Sequence, residues 1–473
     1  MSRINTNIPA LQAVNRLIAN QSDLTTRLER LSTGLRINRG KDDPAGLIAS
    51  ETLRSEIRGI QGAIDNSTRA INVLSVAEGA LNEVSSLLLD LQGLVVTSAN
   101  DGAISQTELE ANQLQIDSIL ESIDRIANTT QFGGDKLVNG NMAYTLSGTN
   151  ADHVLQVQVF GARLPDNGTK AVQVEVLTSA QTAQLKYELT AGSGISSNIT
   201  IEVTGSKGVE AFSFANGTAL SAIAASLNGS RAMTGVSAYA SGANLYLNST
   251  AFGSDAFVSV KALEGDFIAT EGSTSLAKGS DAEVLINGQQ ASVKGKKASL
   301  RGNGFDVVVD LAAAFAQSAT TTTFYISGGG AKFQIGPDVN TAGRVDIGIP
   351  SIAPSNLGTN DVGFLYTLKS GGANSIIGKN YAAAEAIVDE AISQIATIRG
   401  RIGGLQKNQI ETNVNSQRVA LENVTAAESV IRDADYASEV SKLTRAQILV
   451  QSATQILGMA NQLPSAVLSL LRG

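Results

Sequence analysis

The sequence predicts an α+β protein: helical arms from both chain ends build a long antiparallel bundle and coiled coil, and a β-rich domain is inserted between them. Three features carry that prediction. Apolar residues recur at heptad spacing over residues 1–138 and again over 376–473. Between those arms apolar and polar residues alternate, and from Ala45 to Leu164 there is no proline.

In the first arm Leu17, Leu24 and Leu31 repeat every seven residues, with Val14, Leu28 and Leu35 completing the spacing, so residues 6–34 should form an amphipathic helix. GLRINRGKDDPAG interrupts it. Asp43 followed by Pro44 is a helix start, because the carboxylate accepts from free N–H groups and proline tolerates the first helical position. Beyond it Leu53, Ile60, Leu74, Leu81, Leu88 and Val95 share one heptad position, with Ser67 the single interruption. Ile57, Ile64 and Ile71 begin the partner stripe, which drifts by one residue to Ala77, Val84 and Leu91, as in a long, gently supercoiled helix. A turn at Asn100-Asp101-Gly102 should return a second helix carrying Leu109, Ile116, Ile119, Ile123 and Ile126.

The middle segments VLQVQVF, VQVEV, ITIEV, FDVVVDL and TTTFYISGG alternate as half-buried strands do. Asn287-Gly288 sits between apolar strands and marks a hairpin, since both residues accept positive φ. AFSFANGTALSAIAASLN reads as one strand and one helix. In the last arm Val388, Ile395 and Ile402, with Ala391, Ile398 and Leu405, make a seam that Ile410, Val414, Leu421 and Val424 extend. Asp433 and Asp435 mark a fresh helix start. After Arg445 no charge occurs before Arg472, while Leu449, Ile456, Leu463 and Leu470 form a stripe beside Ala446, Ala453 and Ala460. Such a helix is built for burial against other helices.

Composition excludes much chemistry. The chain has 473 residues, no cysteine and one histidine, so disulfides, thiolate sites and multi-histidine metal sites are ruled out. No cofactor is expected. A net charge of −8 argues against nucleic-acid binding. The basic residues before Pro44 (Arg3, Arg16, Arg27, Arg30, Arg36, Arg39, Lys41) are spread among Asp23, Glu29, Asp42 and Asp43 and read as a solvated helix face. His153 is expected to be an exposed loop residue. The glycines at 192–194 and 328–330 read as turns, not phosphate loops. The N-terminus lacks an unbroken apolar run of the secretory type, and no segment has the apolar length of a membrane span, so export without a cleaved signal and no membrane insertion are expected.

Both ends carry specific motifs: RINTNIPALQA, LERLSTGLRINRGKDDPAGLIASETLRSEIRGI and AINVLSVAEGALNEV at the start, IRDADYASEVSKLTRAQILVQSATQILGMANQLPSAVLSLLRG at the finish. These stretches resemble the terminal regions of bacterial flagellin, segment by segment. In the middle SDAEVLINGQQASV resembles a repeat-like motif of flagellin outer domains, and KFQIGPDVNTAGRVDIGI the strand pair before the C-terminal helix. The resemblance implies a structural subunit of a helical filament for swimming motility, not an enzyme.

It also implies an arrangement in shells. Residues 1–43 with 434–473 would be the inner coiled coil, unfolded in the monomer and ordered on assembly. Residues 44–174 with 331–433 would form the helical shell, and 175–330 the outward β-rich domain. Leu17, Leu24, Leu28 and Leu31, with Leu449, Ile456, Leu463 and Leu470, are the candidate subunit interface. The implied partners are further copies of the chain in a homo-polymer, hook-associated and cap proteins, and an export chaperone with the flagellar secretion apparatus. Where flagellins sensed by the vertebrate Toll-like receptor commonly carry a polar residue, an arginine and a glutamate, this chain has Leu89, Asp90 and Gly93. A hook–filament junction protein shares the terminal helices, but RINTN, LSTGLRIN and the VLSLLR ending favour the filament subunit. A secreted adhesin with helical ends would not need both termini to match.

Overall fold

A computed structural model of the chain describes residues 6–100, 102–164, 168–188, 194–271, 275–302 and 304–470, with side chains as far as Gln462. Expectations on Arg3, Asp101, the 192–193 glycine turn, the side chains of Leu463 and Leu470, and Arg472 lie outside the described residues.

The helices are α1 (Ile8–Thr33), α2 (Pro44–Ser98), α3 (Gln106–Thr129), α4 (Leu220–Gly229), the short α5 (Arg231–Thr234) and α6 (Ala313–Ala316), α7 (Tyr381–Leu405), α8 (Thr412–Arg432) and α9 (Tyr436–Leu470). Strands occupy the middle. The chain divides into two compact units: residues 1–66, 335–340 and 412–473 in one, 67–334 and 341–411 in the other.

In the first unit α1 and α9 lie side by side. The connections that lead away from them are tied together by backbone. Arg36 N–H donates to Arg432 O at 2.7 Å and Ala434 N–H to Gly34 O at 2.9 Å, with Gly34 at φ 73° closing α1. The expected start of α2 is as read: Asp43 Oδ1 accepts from Gly46 N–H at 2.9 Å. That bond explains Gly46, because a Cβ there would lie 2.7 Å from Cδ1 of the fully buried Ile37 and against the Asp43 carboxylate. Asp435 starts α9 in the same way, accepting from Ala437 and Ser438 N–H at 3.0 and 3.2 Å.

Among its described residues the second unit has three cores. The first is helical: Leu74, Leu81, Leu88 and Val95 with Ala77, Val84 and Leu91 of α2, Leu109, Ile116 and Ile123 of α3, and Val388, Ala391, Ile395, Ile398 and Ile402 of α7 are all buried together. Ser105 caps α3 reciprocally with Glu108, and Asn112 Nδ2 donates to Ser98 Oγ at 3.0 Å across the turn. The α7 seam steps by three and four as far as Leu405 and then by five to Ile410. A π-turn over Gln406–Glu411 absorbs the extra residue, which keeps Ile410 fully buried.

The second core lies between two antiparallel sheets. One runs Gln289–Gln290, Glu283–Ile286, Lys170–Thr178, Thr321–Gly329, Tyr144–Ser147; the other Ser292–Lys294, Lys297–Gly302, Phe305–Leu311, Val154–Ala162. Val172, Val174 and Val176 meet Val307, Val309, Leu311, Phe324 and Ile326 there. Asn287 and Gly288 turn the hairpin at φ 52° and 75°, as expected. The third core packs α4 with two further sheets, Thr182–Glu188/Asn244–Phe252/Val236–Ser241 and Leu276–Lys278/Phe257–Glu264/Ile199–Gly205/Val209–Phe214.

Two readings change in the second unit. His153 is half-buried, its ring stacked 4.8 Å from Phe315 and its Nδ1 3.1 Å from Thr322 Oγ1, because the turn before Val154 folds onto the sandwich edge. A domain limit at 174/175 falls inside the strand Lys170–Thr178, whose valines belong to one core with residues on both sides of that limit.

Candidate functional site on the paired terminal helices

The α1–α9 pair is antiparallel, and its seam follows three-four spacing on both helices. On α1 it comprises Ala10, Ala13, Leu17, Asn20, Leu24, Arg27 and Leu31, all at least half-buried. On α9 it comprises Leu443, Ala446, Val450, Ala453, Leu457 and Ala460, with the three alanines buried. On α9 large and small residues alternate along the seam.

Polar residues in that seam fix its register. Asn7 Nδ2 donates to Ala460 O at 2.7 Å, and Asn20 Nδ2 to Leu449 O at 3.4 Å. Arg27 donates through Nη1 to both oxygens of Glu439, at 3.2 and 3.0 Å, while Arg30 lies 3.6 Å and Lys442 3.2 Å from the same carboxylate. Glu439 is only 4% exposed. Burial raises its pKa, but the hydrogen bonds and charges of Arg27 and Lys442 outweigh that and hold it below the ordinary glutamate value. A single polar position in an otherwise apolar seam specifies register, because any slip leaves it unpaired.

The candidate interface residues divide. Leu17, Leu24 and Leu31 are half-buried in the seam. Leu28, Leu449 and Ile456 do not join it: they are 49%, 42% and 52% exposed. Within the chain the buried places beside Leu449 and Ile456 are taken by Ala446, Ala453 and Ala460. Ile8, Leu11, Ile18, Ile448 and Met459 are exposed as well, so both helices present apolar rows away from their shared seam. Asn7, Asn20 and Glu439 were not singled out from sequence as seam residues, and Arg27, read there as part of a solvated helix face, is instead largely buried because Glu439 lies opposite it across the seam. Their signal was there: Asn20 and Arg27 interrupt apolar spacing, and Glu439 is the sole acid in α9.

The second candidate stretch lies on α2. Leu89, Asp90 and Gly93 are all exposed and line an open groove with Leu94 and Thr97 of the same helix and Leu114 and Ser118 of α3. A Cβ on Gly93 meets nothing within 4 Å. Among the described residues no cluster of three His, Cys, Asp or Glu is placed to hold a metal, and no helix is long and apolar enough to cross a membrane.

Residues 4–143 match the bacterial flagellin N-terminal helical region, and residues 386–471 match the bacterial flagellin C-terminal helical region. Flagellin of Salmonella typhimurium is 30% identical over 513 residues, covering 99% of both chains. Flagellin B of Vibrio cholerae is 30% identical over 473 residues with the same coverage. The chain belongs to the flagellin family. Among solved structures, FliC from Burkholderia pseudomallei covers 71% of this flagellin and 98% of its own chain, at 15% identity and a TM-score of 0.23. The matched helical regions take in α1, α2, α3 and nearly all of α7, α8 and α9, that is, the seam, its register residues and the exposed apolar rows.

Proposed function

We propose that this flagellin is a structural, non-catalytic subunit that polymerises into the extracellular flagellar filament used for swimming. The observation that carries it is the exposure of apolar rows on both sides of a pair already joined by its own seam, with Leu28, Leu449 and Ile456 among them. Contacts between unlike faces of identical subunits give open helical polymers, not rings, where the rotation between copies does not close. Leu17, Leu24 and Leu31 set the pair; the exposed rows supply the contacts between copies. In this reading residues 1–43 with 434–473 are the inner coiled coil and 44–174 with 331–433 the helical shell. The outward module is narrower than 175–330 and comprises residues 182–279, which have a core of their own. Hook-associated and cap proteins meet the same polymer at its ends, and an export chaperone and the flagellar secretion apparatus handle the chain before assembly. Deleting residues 440–473 should leave a soluble monomer unable to polymerise; filaments from that truncation, seen by electron microscopy, would overturn the proposal.

The α2 stretch supports a second proposal: this flagellin is a poor agonist of the vertebrate Toll-like receptor. Asp90 is an exposed negative charge where sensed relatives carry arginine, and loss of a charge-assisted pair in a buried interface costs about 2–5 kcal/mol. The open space at Gly93 admits the restoring glutamate without rearrangement. Reporter-cell activation by the Leu89→Gln, Asp90→Arg, Gly93→Glu variant should exceed that of the parent, and equal potency of the two would refute it.

A further inference from the structure

The second and third cores of the larger unit are joined by two crossings with almost no slack. Ala180 belongs to one core and Ala183 to the other; Ala282 and Ala277 do the same on the return. The crossings bond to each other, Gln181 N–H to Ser280 O at 2.9 Å and Ser280 N–H to Gln181 O at 3.1 Å. A third segment reaches over: Leu245 and Leu247 lie in the outer core, while Phe252 at the end of the same strand packs on the inner one.

The backbone is compressed where these segments meet. A Cβ on Gly279 would lie 2.5 Å from Gly253 O and 2.6 Å from Gln181 O, and one on Gly295 2.7 Å from Phe252 O. Gly253 and Gly295 adopt φ 103° and 63°, so three glycines admit an approach that side chains would forbid. Asp281 bridges this point. Its carboxylate accepts from Ser254 N–H at 3.1 Å and Ser254 Oγ at 2.6 Å on the outer side, and from Gly295 N–H at 2.6 Å on the inner side. Lys294 repeats the crossing with Asp255 at 2.9 Å.

We propose that Asp281 and the Gly253–Gly279–Gly295 contact form a rigid joint that holds the 182–279 module in one fixed orientation on the sandwich beneath it, rather than on a flexible tether. Asp281 is the positioning residue, since it bonds the loop of one module to the hairpin of the other through three donors. Burial raises its pKa, but the Ser254 and Gly295 donors outweigh this and keep it ionised.

Hydrogen exchange on the full chain tests the joint. In the parent, peptides covering 179–183, 253–256, 278–282 and 293–296 should exchange as slowly as those of the two cores. Asp281→Ala should speed exchange in those four segments by at least about tenfold while core peptides 172–176, 185–187, 245–247 and 307–311 stay protected. Asp281→Asn, which keeps an oxygen acceptor for the two N–H groups, should fall between them, as should Ser254→Ala. Small-angle scattering of Asp281→Ala should show a broadened distribution of module separations. Unchanged exchange in the four segments overturns the joint. So does a rise of equal size in the core peptides, in the alanine variant or in the milder ones, because Asp281 would then support general stability and not orientation.

Discussion

Replacing Leu449 and Ile456 together by serine separates assembly from folding. In the single chain these side chains are 42% and 52% exposed and lie off the α1–α9 seam, so the monomer loses little. Full burial of a Leu or Ile side chain contributes about 1.5–3 kcal/mol, so covering the exposed half of each in a polymer is worth about 1 kcal/mol per residue. The pair then contributes about 2 kcal/mol per subunit, which is a roughly 30-fold change in an equilibrium constant. The assay is seeded polymerisation of purified chain, with the monomer left after sedimentation giving the critical concentration. That concentration should rise roughly 30-fold while thermal unfolding of the second unit stays unchanged. A matched Leu17→Ala, Leu24→Ala variant strikes the seam instead and should lower the helicity of the assembled arms. An unaltered critical concentration in the serine variant would refute the assignment of the exposed rows to contacts between subunits.

Further outcomes follow from the same geometry. Glu439 is held below the ordinary glutamate value, so its contribution to the α1–α9 pair is complete above pH 4.5 and disappears as pH falls through its folded value; filament turbidity should drop in that acid window, and Glu439→Gln should remove the step. Gly46→Val should displace Ile37 or the Asp43 carboxylate and cost about 1–3 kcal/mol, read as faster proteolysis within residues 34–48. Proteases should trim residues 1–43 and 436–473 in the monomer and spare them in filaments, since an arm with uncovered apolar rows gains its ordering energy on docking; equal protection in both forms would count against assembly-coupled ordering. Excision of residues 182–279 should preserve export and filaments, because Gln181 and Ser280 are already bonded and can be closed by a short turn. Excision of 175–330 should instead yield an unstable chain, since it removes most of the second core.

Residues bound to one periodicity were legible from sequence, and residues that arbitrate between two were not. Leu74, Leu81, Leu88 and Val95 are buried because a helix must hide its apolar face, whatever partner it meets. The drift of the partner stripe from Ile71 to Ala77 is real for the same reason. Asn287-Gly288 was legible because its φ requirement is local. In α9 two apolar rows compete for one seam, and spacing alone favours the larger residues Leu449 and Ile456. The structure buries Ala446, Ala453 and Ala460 instead, while Leu17, Leu24 and Leu31 are half-buried on α1, an arrangement in which small residues on one helix leave room for large ones on the other. Complementarity of size across a seam is a property of two helices, and neither sequence shows it alone. The same holds for Asn20 and Arg27: each looks like a blemish in an amphipathic pattern until Leu449 O and Glu439 are found opposite. Helix α9 keeps Leu449, Ile456 and Met459 outside its seam and Glu439 inside it. In the function proposed above, a further copy of the chain supplies the cover for that outer row.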